Sequence, residues 1–233
     1  MAAAFPGSGT HLERYAAVFA SVEINSSFYR PHRRTTYRRW ADSVPAGFLF
    51  AVKLPKAITH EARLQDCAPL IERFAEEIDG LGDKLGPVLV QLPPSFVFPG
   101  DPAWRFFDDL ETASIKAVVL ESRHASWFEP GVLRMLEDRR IACVAADPAK
   151  PEAAAAPRGW SGIAYHRLHG SPHIYESAYD DGTIEDHAAY VAAFEAKGAE
   201  VWTIYDNTMH GAATRNAVQL LGLLDSRRSA VET

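Results

Sequence analysis

Lys116 to Phe128, KAVVLESRHASWF, carries an apolar run, Ala117 to Leu120, that stops abruptly at Glu121, Arg123, His124 and Trp127. An uninterrupted aliphatic run indicates a strand covered on both faces, as in a parallel sheet. Ligands of such sheets bind beyond the carboxyl ends of the strands, so the place where the run stops is the place to look for chemistry.

The same pattern recurs along the chain. Val22 to Asn25, Phe48 to Lys53, Val88 to Gln91, Ile141 to Ala146, Ile163 to Leu168 and Val201 to Tyr205 are apolar runs ending in polar residues. Helical spacing follows them over Thr36 to Ala41, Cys67 to Leu81, Trp104 to Leu110, Pro130 to Arg140, Ile184 to Lys197 and Ala212 to Leu224. Pro93-Pro94 closes the third run, and Pro130 suits a first helical turn. Thr10 can cap a helix reaching Phe19. Lys150 to Gly159 reads as a surface loop, the stretch after Leu168 as long enough for a lid, and the tail beyond Arg227 as frayed.

Strands alternating with helices predict right-handed βαβ units and a parallel sheet. No GxGxxG or GxxxxGK[ST] follows any strand, which removes the main support for a nucleotide-binding open sheet. A TIM-type (β/α) barrel in a single domain over residues 1–233 is the better expectation. Such a barrel usually has eight strands, and this chain opens with a helix, so the missing strand is expected to be the first.

The segments VEINSSFYR, FLFAVKLPKAITH, LGDKLGPVLVQLPPSF, VVLESRHASWF, YHRLHGSP and IYDNT resemble, in that order, segments of the YecE-like family, catalogued as domain of unknown function 72. The resemblance covers nearly the whole chain from Val22 to Asn216 and implies a TIM-type barrel. Members usually begin with a strand of the type IYIGTSGWSY, which is lacking here and agrees with the strand count. The resemblance carries no reaction with it.

Composition narrows the class. The chain has 233 residues, 47% hydrophobic and 23% charged, and no apolar run approaches the ~20 residues that span a bilayer. MAAAFPGSG lacks the basic start and apolar centre of a secretory signal, so a soluble, cytoplasmic protein without a membrane partner is expected. A net charge of -6 disfavours nucleic acid, and the basic run Arg30 to Trp40 reads as a solvated helix face. Cys67 and Cys143 have no metal-type spacing and read as buried, reduced thiols.

Alternation along a strand turns Glu23 with Asn25, Glu121 with Arg123, and Arg167 with His169 to a common side. With Lys53, Gln91, Asp147 and Asp206 they are expected to ring the mouth of a barrel. Glu121, Asp147 and His169 are the candidate acids and bases. Glu23, Asn25, Lys53, Gln91, Arg123, His124, Trp127, Arg167, Gly170, Ser171, Asp206 and Asn207 are the candidate contacts to a small polar or anionic ligand. Gly170 and the helix near Ala212 can present amides to an anion beside Arg167 and His169, with an Arg167 to Asp206 ion pair as the rival arrangement. Phe28, Tyr29, Trp127 and Phe128 can stack on a sugar or base, or cap the core.

Glu23, Glu121, Asp147, His169 and Asp206 are also donors of the kind that hold a divalent metal. No ligand spacing joins them, so a metal cofactor is not the favoured reading. The expected function is acid-base catalysis on a small polar or anionic substrate. The alternatives are a non-catalytic binder of a nucleotide, sugar phosphate or nucleic acid, and a metal-dependent hydrolase or isomerase.

Overall fold

The structure is a computed structural model that describes residues 5–231. The start of MAAAFPGSG and the last two residues of the tail lie outside the described residues. The chain divides into two compact units, Met1–Val132 and Leu133–Thr233.

The first unit opens with α1 (His11–Ala16), shorter than the expected run to Phe19. Thr10 caps it as expected: Glu13 N–H donates to Thr10 Oγ1 at 3.2 Å, while Thr10 N–H donates to the Glu13 carboxylate at 2.6 Å. Next come β1 (Ser21–Ile24), α2 (Ser26–Tyr29), α3 (Arg34–Asp42), β2 (Leu49–Lys53), α4 (Ala68–Ile78), β3 (Leu85–Gln91), α5 (Asp101–Thr112) and β4 (Val118–Glu121). Strands β1 to β4 pair in chain order, all parallel. Within the unit, among the described residues, β1 pairs with β2 alone.

Burial follows the sequence pattern. All of β4 is buried, as a doubly covered strand requires. Ile71, Phe74 and Ile78 of α4 and Ala103, Phe106, Phe107 and Leu110 of α5 are the buried helical stripes. Arg33, Arg34, Arg38 and Arg39 are exposed on or beside α3 while Tyr37 and Ala41 are buried, so the basic run is a solvated face. Gly80 lets a 3₁₀ turn after α4 press against α3, because a side chain there would collide with the Arg34 carbonyl oxygen. Cys67 and Cys143 are both free and buried, as expected.

The division between units falls inside α6 (Pro130–Asp138). The second unit departs from expectation at once. Ile141 to Ala146 is not one strand but two, β5 (Ile141–Cys143) and β6 (Ala145–Asp147), separated at Val144. The expected loop before Ile163 supplies the reason, for it contains a 3₁₀ turn, Glu152–Ala155, and a short strand β7 (Arg158–Gly159) that pairs antiparallel with β5. Gly159 makes this possible. Its φ is +67°, and a Cβ there would lie 2.6 Å from the Ile141 carbonyl oxygen.

Strand β6 instead joins β8 (Ile163–Leu168), which pairs with β9 (Glu200–Tyr205), both ladders parallel. Helix α7 (Asp181–Glu195) begins at the Asp180 cap, whose Oδ1 accepts from Thr183 N–H at 2.8 Å. Helix α8 (Ala212–Val231) runs on through the tail that was expected to fray after Arg227. Ile184, Ala188 and Val191 of α7 meet Leu220 and Leu224 of α8 in a common core with Tyr179. The fold is therefore mixed α/β with mainly parallel strand pairing.

Candidate functional site

Register gathers the strand-end groups of the first unit. Glu23 pairs with Ala51, Lys53 with Leu89, and Gln91 with Glu121, so alternation puts Glu23, Lys53, Gln91 and Glu121 on one face of the parallel ladders. Glu121 is 1% exposed, and its Oε1 accepts from Gln91 Nε2 at 2.9 Å and from Arg123 Nε and Nη2 at 3.1 and 2.9 Å. A carboxylate in that position needs such donors, because a buried charge without them is costly. Arg123 keeps 32% of its side chain exposed and so joins the buried carboxylate to solvent.

Lys53 is buried, with Nζ 4.1 Å from the centre of the Phe28 ring. His60, on a π-helical turn after β2, adds a functional candidate that the sequence does not mark. Its ring stands edge-on to Phe28 at 5.0 Å, and burial, then the positive charges of Lys53, Arg123 and Arg63, hold its pKa below the ordinary imidazole range. No spacing motif marks His60. Its only signal is its place in the loop beyond a strand that ends in lysine.

Two candidates of this unit have structural roles. His124 caps the 3₁₀ turn Ala125–Phe128, its Nδ1 accepting from Ser126 N–H at 3.3 Å and lying 2.9 Å from Ser126 Oγ. Trp127 is wholly buried, donates Nε1–H to the Phe96 carbonyl at 2.9 Å and packs on Phe96 and Phe98. It offers no face to a ligand, so the ligand contact expected of it is corrected: the ring is core because the turn after β4 folds it inward. Asn25 begins α2 without capping it, and its Oδ1 is buried with no hydrogen-bond partner among the described residues.

In the second unit Arg167 and His169 do share a side. Asp206 Oδ2 receives Arg167 Nη2 at 3.3 Å and His169 Nδ1 at 3.1 Å, and Arg167 Nη1 lies 3.4 Å from His169 Nε2. The ion-pair arrangement is thus present. The amides expected to receive an anion beside it are engaged: Gly170 N–H donates to Tyr179 Oη at 2.9 Å, and Ala213 N–H, in the first turn of α8, donates to the Asn207 carbonyl at 3.1 Å. Asn207 is buried, with Nδ2 donating to the Ser177 carbonyl and to Asn216 Oδ1, and so ties this loop to α8.

Asp147 does not join this group, which corrects the expected ring. The break at Val144 sets β6 in a register where Asp147 pairs with Leu168 rather than with Arg167, turning its carboxylate to the opposite face. There Asp147 Oδ2 meets the hydroxyl of Tyr179 at 2.6 Å. Ser171 is exposed and lines a cavity on that same face. The segment expected as a lid is fastened by Tyr175 N–H to the His169 carbonyl and by both backbone groups of Tyr179 to Asn216.

The family described as Protein of unknown function DUF72 matches residues 4–233. The chain belongs to the DUF72 family. The resemblance read from its strand-end segments is thereby borne out. The UPF0759 protein YecE of Escherichia coli, in strain K12 and in O157:H7 alike, is 33% identical over 123 residues, covering 52% of this chain and 44% of the relative. The match therefore spans less than half the length of these curated relatives. A DUF72 family protein from Enterococcus faecalis V583 superposes with a TM-score of 0.80 at 21% identity, over 93% of this chain and 88% of that one. One from Thermotoga maritima MSB8 gives 0.76 at 22%, over 94% and 92%. At that identity the DUF72 structures speak for the fold.

Among the described residues no group of three or more His, Cys, Asp or Glu is placed to hold a metal ion, and no helix is long and apolar enough to cross a membrane.

Proposed function

We propose that this DUF72 protein performs acid-base chemistry on a small anionic substrate at the carboxyl ends of the first unit's parallel strands. The observation that carries the reading is the setting of His60: a partly buried imidazole edge-on to the Phe28 ring that also carries Lys53 Nζ, its pKa lowered by burial and by the positive charges of Lys53, Arg123 and Arg63. A neutral imidazole accepts a proton at pH 7, and the surrounding cations favour an anion beside it. Glu121, fixed by Gln91 and Arg123, orients the guanidinium. The (β/α)-barrel architecture expected from the sequence belongs to this reading, supported by the alternation of strands and helices.

The test is a titration of the intact protein with inorganic phosphate by calorimetry, followed by a turnover panel of small phosphate esters and carboxylates. Wild type is expected to bind, Arg123→Ala to bind at least about tenfold more weakly, and His60→Gln to bind but not turn over. Binding unchanged in Arg123→Ala overturns the site. Binding without turnover of any panel member overturns the catalysis in favour of the non-catalytic binder.

A further inference from the structure

The second unit contains an open cavity of about 530 Å³ on the face of β6, β8 and β9 opposite to Arg167 and His169, lined also by residues of α7. Register explains its lining. His166 and Leu168 alternate with Arg167, and Asp147 and Tyr205 both pair with Leu168, so all four point to the same side.

Three features of the lining point to one kind of ligand. The first is charge: Asp147, Asp180 and Asp186 contribute carboxylates, and no lysine or arginine lines the cavity among the described residues. The second is a pair of orphaned groups: His166 is 4% exposed, and its Nε2 and the Oη of Tyr205 are both buried atoms without a hydrogen-bond partner among the described residues. Buried polar atoms are almost always satisfied, so two on one cavity wall call for a polar group from outside the chain. The third is shape and surface. His166 stands edge-on to His187 at 4.9 Å and to Tyr190 at 5.3 Å, giving aromatic walls that suit a flat ring and a cation.

We infer that this cavity binds a small aromatic amine bearing a hydroxyl group. Its ammonium lies at the exposed end beside Asp180 and Asp186, and its hydroxyl reaches inward to His166 Nε2 and Tyr205 Oη. The histidines do not repel the cation, because burial lowers the pKa of His166 to about 3 and that of His187 to about 4. His187 Nε2 lies 3.0 Å from Thr203 Oγ1, which fixes its ring in the wall. Asp147 is engaged with Tyr179, and Asp180 Oδ1 caps α7 by accepting from Thr183 N–H, which leaves Asp186 and the second oxygen of Asp180 as the partners of the ammonium.

Calorimetry on the intact protein tests this with three probes of one size. Tyramine carries both groups, 2-phenylethylamine lacks the hydroxyl, and 4-hydroxyphenylacetate replaces the ammonium by a carboxylate. Tyramine is expected to bind in a one-to-one complex, 2-phenylethylamine about tenfold more weakly, and 4-hydroxyphenylacetate not at all. Asp186→Asn alters an exposed side chain and is expected to weaken tyramine binding about tenfold with the melting temperature unchanged. His166→Gln is expected to remove the preference for tyramine over 2-phenylethylamine. No tyramine binding at millimolar concentration, equal binding of 4-hydroxyphenylacetate, or binding unaltered in Asp186→Asn overturns the assignment.

Discussion

Gln91 and Glu121 stand opposite each other in the β3–β4 ladder, and Gln91 donates to the carboxylate oxygen of Glu121 that also receives Arg123. Hydrogen bonds to a charged group contribute about 1.5–3 kcal/mol each, so the pair should couple. Urea unfolding of Gln91→Ala, Glu121→Gln and the double variant should give a coupling energy of about 1–3 kcal/mol. Simple additivity would show that the side-chain bond between Gln91 and Glu121 carries no coupling.

Trp127→Ala removes a wholly buried ring and its bond to Phe96, and should cost about 3–5 kcal/mol. The urea midpoint should fall without a change in slope. Phosphate affinity, corrected for the unfolded fraction, should be that of wild type, since this tryptophan belongs to the core.

Asp206→Ala withdraws a carboxylate from Arg167, which is 1% exposed. Fully buried pairs lose ~3–5 kcal/mol when one partner goes. Asp206 keeps 22% of its side chain exposed, so about 2 kcal/mol is expected here, read from denaturant unfolding.

His166 and His187 have pKa values pushed down from 6.5, chiefly by burial, to about 3 and about 4. Between those values and 6.5 the unfolded chain binds more protons than the folded one, so stability falls as pH falls. Their contribution is full above pH 6.5 and is lost progressively on acidification towards pH 3–4. The urea midpoint should drop from pH 7 to pH 4.5 in wild type, and drop less steeply in His166→Gln. Identical slopes would remove His166 as a source of the acid sensitivity.

Burial raises the thiol pKa to about 11 for Cys67 and about 12 for Cys143. Both thiols should therefore resist iodoacetamide at pH 8 in the native protein and react fully in denaturant, by mass spectrometry. Native labelling of either would contradict its burial.

Much of the fold was legible because it rests on local periodicity. The doubly apolar run before Glu121 and the i, i+3, i+7 stripe of α4 each needed only neighbouring residues to be read. The strand-end residues of the first unit followed, since alternation alone turns Glu121 and Arg123 the same way. Gln91 opposite Glu121 is a matter of register between strands thirty residues apart, which no local pattern records.

What only the tertiary structure decided is the second unit's face assignment. In sequence, Ile141 to Ala146 is one apolar run; in space β7 takes its first half antiparallel and β8 its second half parallel, and that division reverses the side on which Asp147 emerges. His166 is silent in the sequence for the matching reason: within a strand its character is set by what covers it, and α7 brings His187 and Tyr190 to it from more than twenty residues away. The sequence by itself determined strands, helices and family through near-neighbour patterns. Which charged groups share a face was decided by long-range pairing, because a shift of one residue in register turns every side chain over.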